Sequence, residues 1–190
     1  MKKLLLIGSV LLVAVLSTAC INNLAVQELN NKAMEFAQKG DYPQAIERLK
    51  SSLDLDSTIV ETHYNLAVAY TQVEEYNNAV DEFKKVLELK PDLADTYYSL
   101  ATAQNNLAVA IEDKQIRLNS DGTFYKPTKE DDLEEKSEKS ELTDNEQAYL
   151  SELYDSAIEN YEKYLELNPD AKEKTQIQEQ IGIISEKKVI

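Results

Sequence analysis

Two side chains in this sequence carry chemistry that no other residue duplicates: Cys20 is the only cysteine and His63 the only histidine. A single thiol closes no disulfide within its own chain. Structural zinc draws its ligands mainly from several Cys and His side chains, so a zinc site here would have to lean on carboxylates. Carboxylates abound, with 35 Asp and Glu against 20 Lys and Arg. General acid–base work, however, needs a cleft and shifted pKa values, and these residues occupy helix-surface positions. The stretch Asn119-Ser120-Asp121-Gly122 superficially resembles a calcium loop, but Arg117 stands at the first ligand position and Pro127 where the closing Glu belongs. No phosphate loop, nucleophile motif or metal-ligand cluster occurs. The expectation is a non-enzyme with no catalytic residue, no metal and no small-molecule substrate. What remains is covalent chemistry at Cys20 and recognition by amides and tyrosines.

Cys20 closes an export-type leader. Lys2 and Lys3 form a positive start, Leu4 to Leu16 is a nearly unbroken apolar run, and Ser17, Thr18 and Ala19 are small. The apolar core is 13 residues, whereas a bilayer-spanning helix takes roughly 20; a permanent transmembrane helix is the alternative reading. Leu16-Ser17-Thr18-Ala19-Cys20 resembles the lipobox of bacterial lipoproteins, with Ser17 where that family usually has an aliphatic residue. The resemblance implies removal of residues 1–19 and a lipid on the Cys20 sulfur, the only covalent group expected and in place of any cofactor. Palmitate-type acyl chains suit this purpose because stable anchoring takes at least two chains. Loss of Lys2 and Lys3 moves the formal charge from −15 to −17. Residues 20–25 would form a short tether. Ile21 after the cysteine resembles outer-membrane lipoproteins, so the expected location is the outer membrane where one exists, and otherwise the outer face of the cell membrane.

The elements that follow repeat. Gly40-Asp41-Tyr42-Pro43-Gln44-Ala45-Ile46-Glu47-Arg48-Leu49, shifted by 34, lands on Glu74-Glu75-Tyr76-Asn77-Asn78-Ala79-Val80-Asp81-Glu82-Phe83. Ala33, Ala67 and Ala101 keep the same spacing, as do Tyr64 and Tyr98. A further copy, Tyr154-x-x-Ala157-x-x-x-Tyr161, runs into Leu165-Glu166-Leu167-Asn168-Pro169, matching Leu87-Glu88-Leu89-Lys90-Pro91. This pattern resembles the tetratricopeptide repeat family, whose unit is a pair of antiparallel helices. The implied fold is all-α: a solenoid of three helix pairs over 26–170 (26–59, 60–93 and 94–170) and a capping helix at 171–190. Small alanines at helix crossings let backbones approach, while Phe36, Tyr70, Leu49, Phe83 and Tyr161 fill the gaps. His63 takes the aromatic slot that Tyr97 occupies one repeat later, so its expected role is packing. Thr58-x-x-Glu61 and Asp170-x-x-Glu173 read as capping boxes, Thr143-x-x-Glu146 as a helix start, and Ile177, Ile181 and Ile184 as the buried stripe of the cap.

The third repeat is interrupted by an insert over about 107–153. Leu107, Ile111 and Leu118 continue one helix inward, and Leu142, Tyr149, Leu150 and Leu153 the other. Both helices are therefore expected to gain about three turns, or roughly 16 Å. Residues 119–142 form a loop or partly helical tip, with a turn at Asn119–Gly122 and a mostly charged run from Glu130 to Glu141. It reads either as a solvated segment or as a partner-specific arm.

In tetratricopeptide domains the first helix of each repeat lines a concave groove. The resemblance places Gln27, Asn30, Met34 and Gln38 there from repeat one. Repeat two supplies Tyr64, Asn65, Val68 and Gln72, and repeat three Tyr98, Thr102 and Asn105. Amides suit a peptide backbone and Tyr supplies rigid contact area; the alternative is that Tyr64 and Tyr98 only pack along the solenoid. Some family members grip a terminal carboxylate with Lys, Asn and Arg. The matching positions here are Asn30, Met34, Asn65, Asp95 and Ser99, of which only Asn65 agrees. A charge of −15 disfavours nucleic acid, whose phosphates select clustered Lys and Arg, and suits basic or neutral protein surfaces.

The expected function is a lipid-anchored, non-catalytic adaptor binding an unidentified protein or peptide in cell-envelope assembly, secretion or surface-complex maintenance. A structural subunit held through its acidic insert is the alternative, and an envelope enzyme using surface carboxylates the remote one.

Overall fold

A computed structural model describes residues 23–128 and 142–187. The leader, Cys20 and the charged run at 130–141 lie outside the described residues. Seven helices occur among the described residues: α1 (23–38), α2 (Tyr42–Leu55), α3 (Val60–Gln72), α4 (Tyr76–Leu89), α5 (Ala94–Glu112), α6 (Asp144–Leu167) and α7 (Lys174–Lys187). A two-stranded antiparallel hairpin, β1 (Arg117–Leu118) and β2 (Phe124–Tyr125), separates α5 from α6. No described helix is long and apolar enough to cross a membrane. The chain divides into two compact units, up to Val73 and from Glu74 onward.

In the first unit, α1 begins by residue 23, so residues 23–25 of the expected tether are helical. The turn that closes it runs through Gly40, whose φ of +76° is a left-handed conformation that glycine adopts without steric cost. That turn lets Asp41 N–H reach the Phe36 carbonyl at 2.9 Å. Asp41 then caps α2, its carboxylate accepting from Gln44 N–H at 3.3 Å, with Pro43 in the first turn where a missing N–H costs nothing. The expected box at Thr58 does not form. Asp56 captures both Thr58 N–H (2.9 Å) and Thr58 Oγ1 (2.7 Å), and α3 starts from Ile59 without a side-chain cap. Ala33, Ala45, Leu49, Leu66, Ala67 and Tyr70 form the core; Phe36 is only half-buried. His63 is buried, with Nε2 2.9 Å from the Ser57 carbonyl, which is the packing role expected of it.

The second unit repeats the scheme. Ala79, Ala101 and Ala157 are fully buried where their helices pack, with Phe83, Val86, Leu100 and Tyr161 around them. Glu74 stands where Gly40 does one repeat earlier and has φ +59°. Elongation of the third pair is real but uneven. α6 runs 24 residues against 14 in α4, whereas α5 runs 19 against 13 in α3. The expected continuation of α5 to Leu118 fails because Lys114 turns left-handed (φ +57°) and the N–H groups of Gln115 and Ile116 close on the Ala110 carbonyl at 2.8 and 3.1 Å. The chain then reverses at Asn119–Gly122, where Gly122 N–H donates to Asn119 O at 3.0 Å, and Leu118 pairs with Phe124.

Glu146 fixes this junction. The expected helix start at Thr143 carries a capping box formed in both directions, and the same carboxylate accepts from Arg117 Nε at 2.7 Å and Leu118 N–H at 3.2 Å. Both side chains are almost fully buried. A buried carboxylate is tolerated only when paired and hydrogen-bonded, and Glu146 satisfies both conditions. α7 starts at Lys174, past the expected box at Asp170, because Glu173 instead accepts a hydrogen bond from Tyr164 OH at 2.7 Å. Ile177 and Ile184 of α7 are buried; Ile181 is half-buried.

Candidate functional site

The three helices of the first unit enclose a pocket of about 240 Å³, lined by Asn30, Ala33, Met34 and Ala37 of α1, Tyr42, Ala45 and Leu49 of α2, and Glu61, Asn65, Val68 and Ala69 of α3. The α1 and α3 sets recur at three- and four-residue spacing, so each is one face of its helix. Small residues explain the space: Ala33, Ala37, Ala45 and Ala69 leave room that larger side chains would fill. Met34 and Val68 line it while remaining 47% and 37% exposed, so its mouth is apolar and open to solvent.

Four groove residues expected from the sequence therefore converge: Asn30, Met34, Asn65 and Val68. Their roles differ. Asn30 Nδ2 donates to the Val26 carbonyl (3.0 Å) and to Ser52 Oγ (2.9 Å), and its Oδ1 accepts from Thr62 Oγ1 (3.0 Å). Ser52 and Thr62 are completely buried, so Asn30 is a bracket joining three helices and has little capacity left for a ligand. The amide of Asn65 and the carboxylate of Glu61 have no hydrogen-bond or ion-pair partner among the described residues. Gln27, Gln38, Tyr64 and Gln72 do not line the pocket. Gln27 is tied to Asn23 at 3.0 Å.

The remaining expected groove residues lie in the second unit. Tyr98 packs its ring 5.8 Å from Tyr161 and 5.4 Å from Tyr164 yet stays 36% exposed. Thr102 Oγ1 donates to the Tyr98 carbonyl at 2.9 Å and lies 3.1 Å from Tyr161 OH; burial is the main cause that raises the Tyr161 pKa. Asn105 is half-buried on the same helix. Tyr164 is pushed up to about 12, first by its hydrogen bond to Glu173 and then by burial. Tyr161 and Tyr164, both buried, stay neutral at any physiological pH, and the exposed part of Tyr98 presents aromatic surface.

Sequence reasoning missed Glu61 as a lining residue, having assigned it to a cap, and missed the Asn30–Ser52–Thr62 bracket. The bracket joins residues 22 and 32 positions apart, which periodicity alone does not connect. The hairpin had a readable signal, a Gly-containing turn between β-type residues, that helical spacing at Leu107, Ile111 and Leu118 overrode. Among the described residues no group of three or more His, Cys, Asp or Glu is arranged to hold a metal ion.

Three segments match tetratricopeptide repeat models: residues 34–73 match a TPR repeat, and residues 60–93 and 150–171 each match a tetratricopeptide repeat. Tetratricopeptide repeats are thus present, and residues 94–149, holding the interruption, fall outside these three matches. Comparison with curated proteins gives no match. Among solved structures, the first TPR of Spaghetti (RPAP3) bound to the HSP90 peptide SRMEEVD is 17% identical with a TM-score of 0.57, covering 88% of this chain and 95% of that one. The second TPR domain of human RPAP3, in complex with the HSP70 peptide SGPTIEEVD, is 15% identical with a TM-score of 0.57, covering 85% and 98%. The TPR2B domain of yeast Sti1 in its pHsp70 complex is 17% identical with a TM-score of 0.52, covering 86% and 98%. At such identities the likeness establishes the fold, an all-α tetratricopeptide solenoid with a lengthened third pair.

Proposed function

We propose that this chain is a non-catalytic adaptor that holds an extended segment of a partner protein and is tethered to a membrane by a lipid on Cys20. The observation that carries the binding half is the pocket between α1, α2 and α3, apolar at its mouth and provided with one uncommitted amide. Extended peptides need such a combination, an apolar socket with a few polar groups for the backbone. The solved domains of the same fold whose names include bound HSP90 or HSP70 peptides support a peptide partner in general. They do not extend to its identity, because of the five clamp positions here, Asn30, Met34, Asn65, Asp95 and Ser99, only Asn65 agrees with its counterpart. The anchoring half rests on the sequence: the Lys2–Lys3 start, the apolar run and Leu16-Ser17-Thr18-Ala19-Cys20. The cell envelope, at the outer membrane or the outer face of the cell membrane, is the setting that follows from it, and assembly, secretion or surface-complex maintenance the class of work.

Two measurements separate the halves. Cells fed an alkyne-bearing palmitate analogue should label the wild-type protein and not Cys20→Ser. Detergent extracts of the labelled membranes should yield a co-purifying partner that Met34→Gln with Val68→Thr removes, near-isosteric changes that make the mouth polar. Equal labelling of Cys20→Ser removes the anchor, and unchanged co-purification in the double variant removes the groove.

A further inference from the structure

The pocket carries a charge asymmetry. Of its eleven lining residues only Glu61 is charged, and no Lys or Arg contributes. Glu61, Asn65 and Val68 lie on one face of α3, in that order from its first turn. Along the helix axis Glu61 and Val68 are seven positions apart, roughly 10 Å at 1.5 Å per residue. An extended peptide covers that distance in about three residues at ~3.3 Å each.

From this we infer that the pocket selects a peptide segment in which an apolar side chain and a Lys or Arg stand about three residues apart. The apolar side chain seats between Met34 and Val68, the Asn65 amide pairs with the intervening peptide backbone, and Glu61 meets the cation. The inference rests on the peptide-binding reading above and adds the sign and spacing of what is bound. Acidic segments are rejected twice, by Glu61 at the rim and by the absence of any cation in the lining. Unlike a general field from the −15 charge, this preference is local and survives salt that screens distant charges beyond about 8 Å.

The test uses the mature full-length protein and three fluorescein-labelled decapeptides of Gly and Ser with a central Leu. Each has Lys, Ser or Glu three residues to either side of that Leu, and binding is read by fluorescence anisotropy at physiological ionic strength. The Lys peptide should bind roughly tenfold tighter than the Glu peptide, the Ser peptide falling between, as one close ion pair gained and one repulsion removed imply. Glu61→Gln should lower the Lys-to-Glu ratio about fivefold. Glu35→Gln, which removes the same charge from an exposed α1 position outside the pocket, should leave the ratio unchanged. A ratio that falls equally in both variants, or in neither, overturns the inference. Met34→Gln with Val68→Thr should weaken all three peptides together. If all three bind wild type but ignore that double variant, or none binds, the peptide-groove reading itself fails.

Discussion

Glu146 shows how one side chain can decide where a helix ends. Burial would raise its pKa, but hydrogen bonds from Arg117, Thr143 and Leu118 outweigh burial and hold it at about 2. Because the folded value lies below the unfolded one, the carboxylate's contribution is complete above about pH 4.5 and drains away as pH falls toward 2. Wild type should therefore lose stability over that window, and Glu146→Gln should flatten the loss while being less stable at pH 7. Arg117→Ala, which leaves Glu146 buried without its cation, should cost about 3–5 kcal/mol, read from urea midpoints. Glu74 offers the opposite case. Its left-handed backbone disfavours any residue with a Cβ, so Glu74→Gly should raise stability by about 0.5–1 kcal/mol after the extra freedom of the unfolded glycine is allowed for. The Gly40–Glu74 correspondence was visible in the sequence. The Arg117–Glu146 pair was not, since its partners lie 29 residues apart and Arg117 read only as a spoiled calcium ligand.

The helix pairs were legible because their requirement recurs. A crossing that admits only a methyl group returns every 34 residues, and all six alanines of the two series are buried. Ala79→Leu, at a fully buried crossing alanine outside the pocket, should overpack the α4 crossing and cost about 1–3 kcal/mol, lowering the urea midpoint with little change in slope. The cap was legible by the same logic, an apolar stripe with polar flanks. Ile184→Ala should loosen α7, speeding amide exchange throughout that helix. Lengths and starts were harder. Apolar spacing continues past Glu112, yet the chain leaves the helix because Lys114 turns left-handed and Glu146 draws Arg117 and Leu118 away. Both expected capping boxes failed because a neighbour took the oxygen or hydroxyl first, Asp56 at Thr58 and Tyr164 at Glu173. Such local competition leaves no trace in periodicity.

For the molecule as a whole, the repeats give a scaffold that many functions share, so binding is a property of one pocket and what lines it. Of the groove residues the resemblance proposed, Asn65, Met34 and Val68 face open space with capacity to spare, while Asn30 and Thr102 serve the protein's own packing. That division was invisible beforehand because family position predicts where a side chain sits and not what it is already bonded to. A photo-crosslinking amino acid placed singly at positions 68, 34 and 47 in cells tests the central claim most directly, Glu47 being exposed on α2 and outside the pocket. The account predicts partner adducts from positions 68 and 34 and none above background from 47. Adducts from 47 as strong as those from 68, or none from 68 and 34 in membranes where the partner co-purifies, would contradict it.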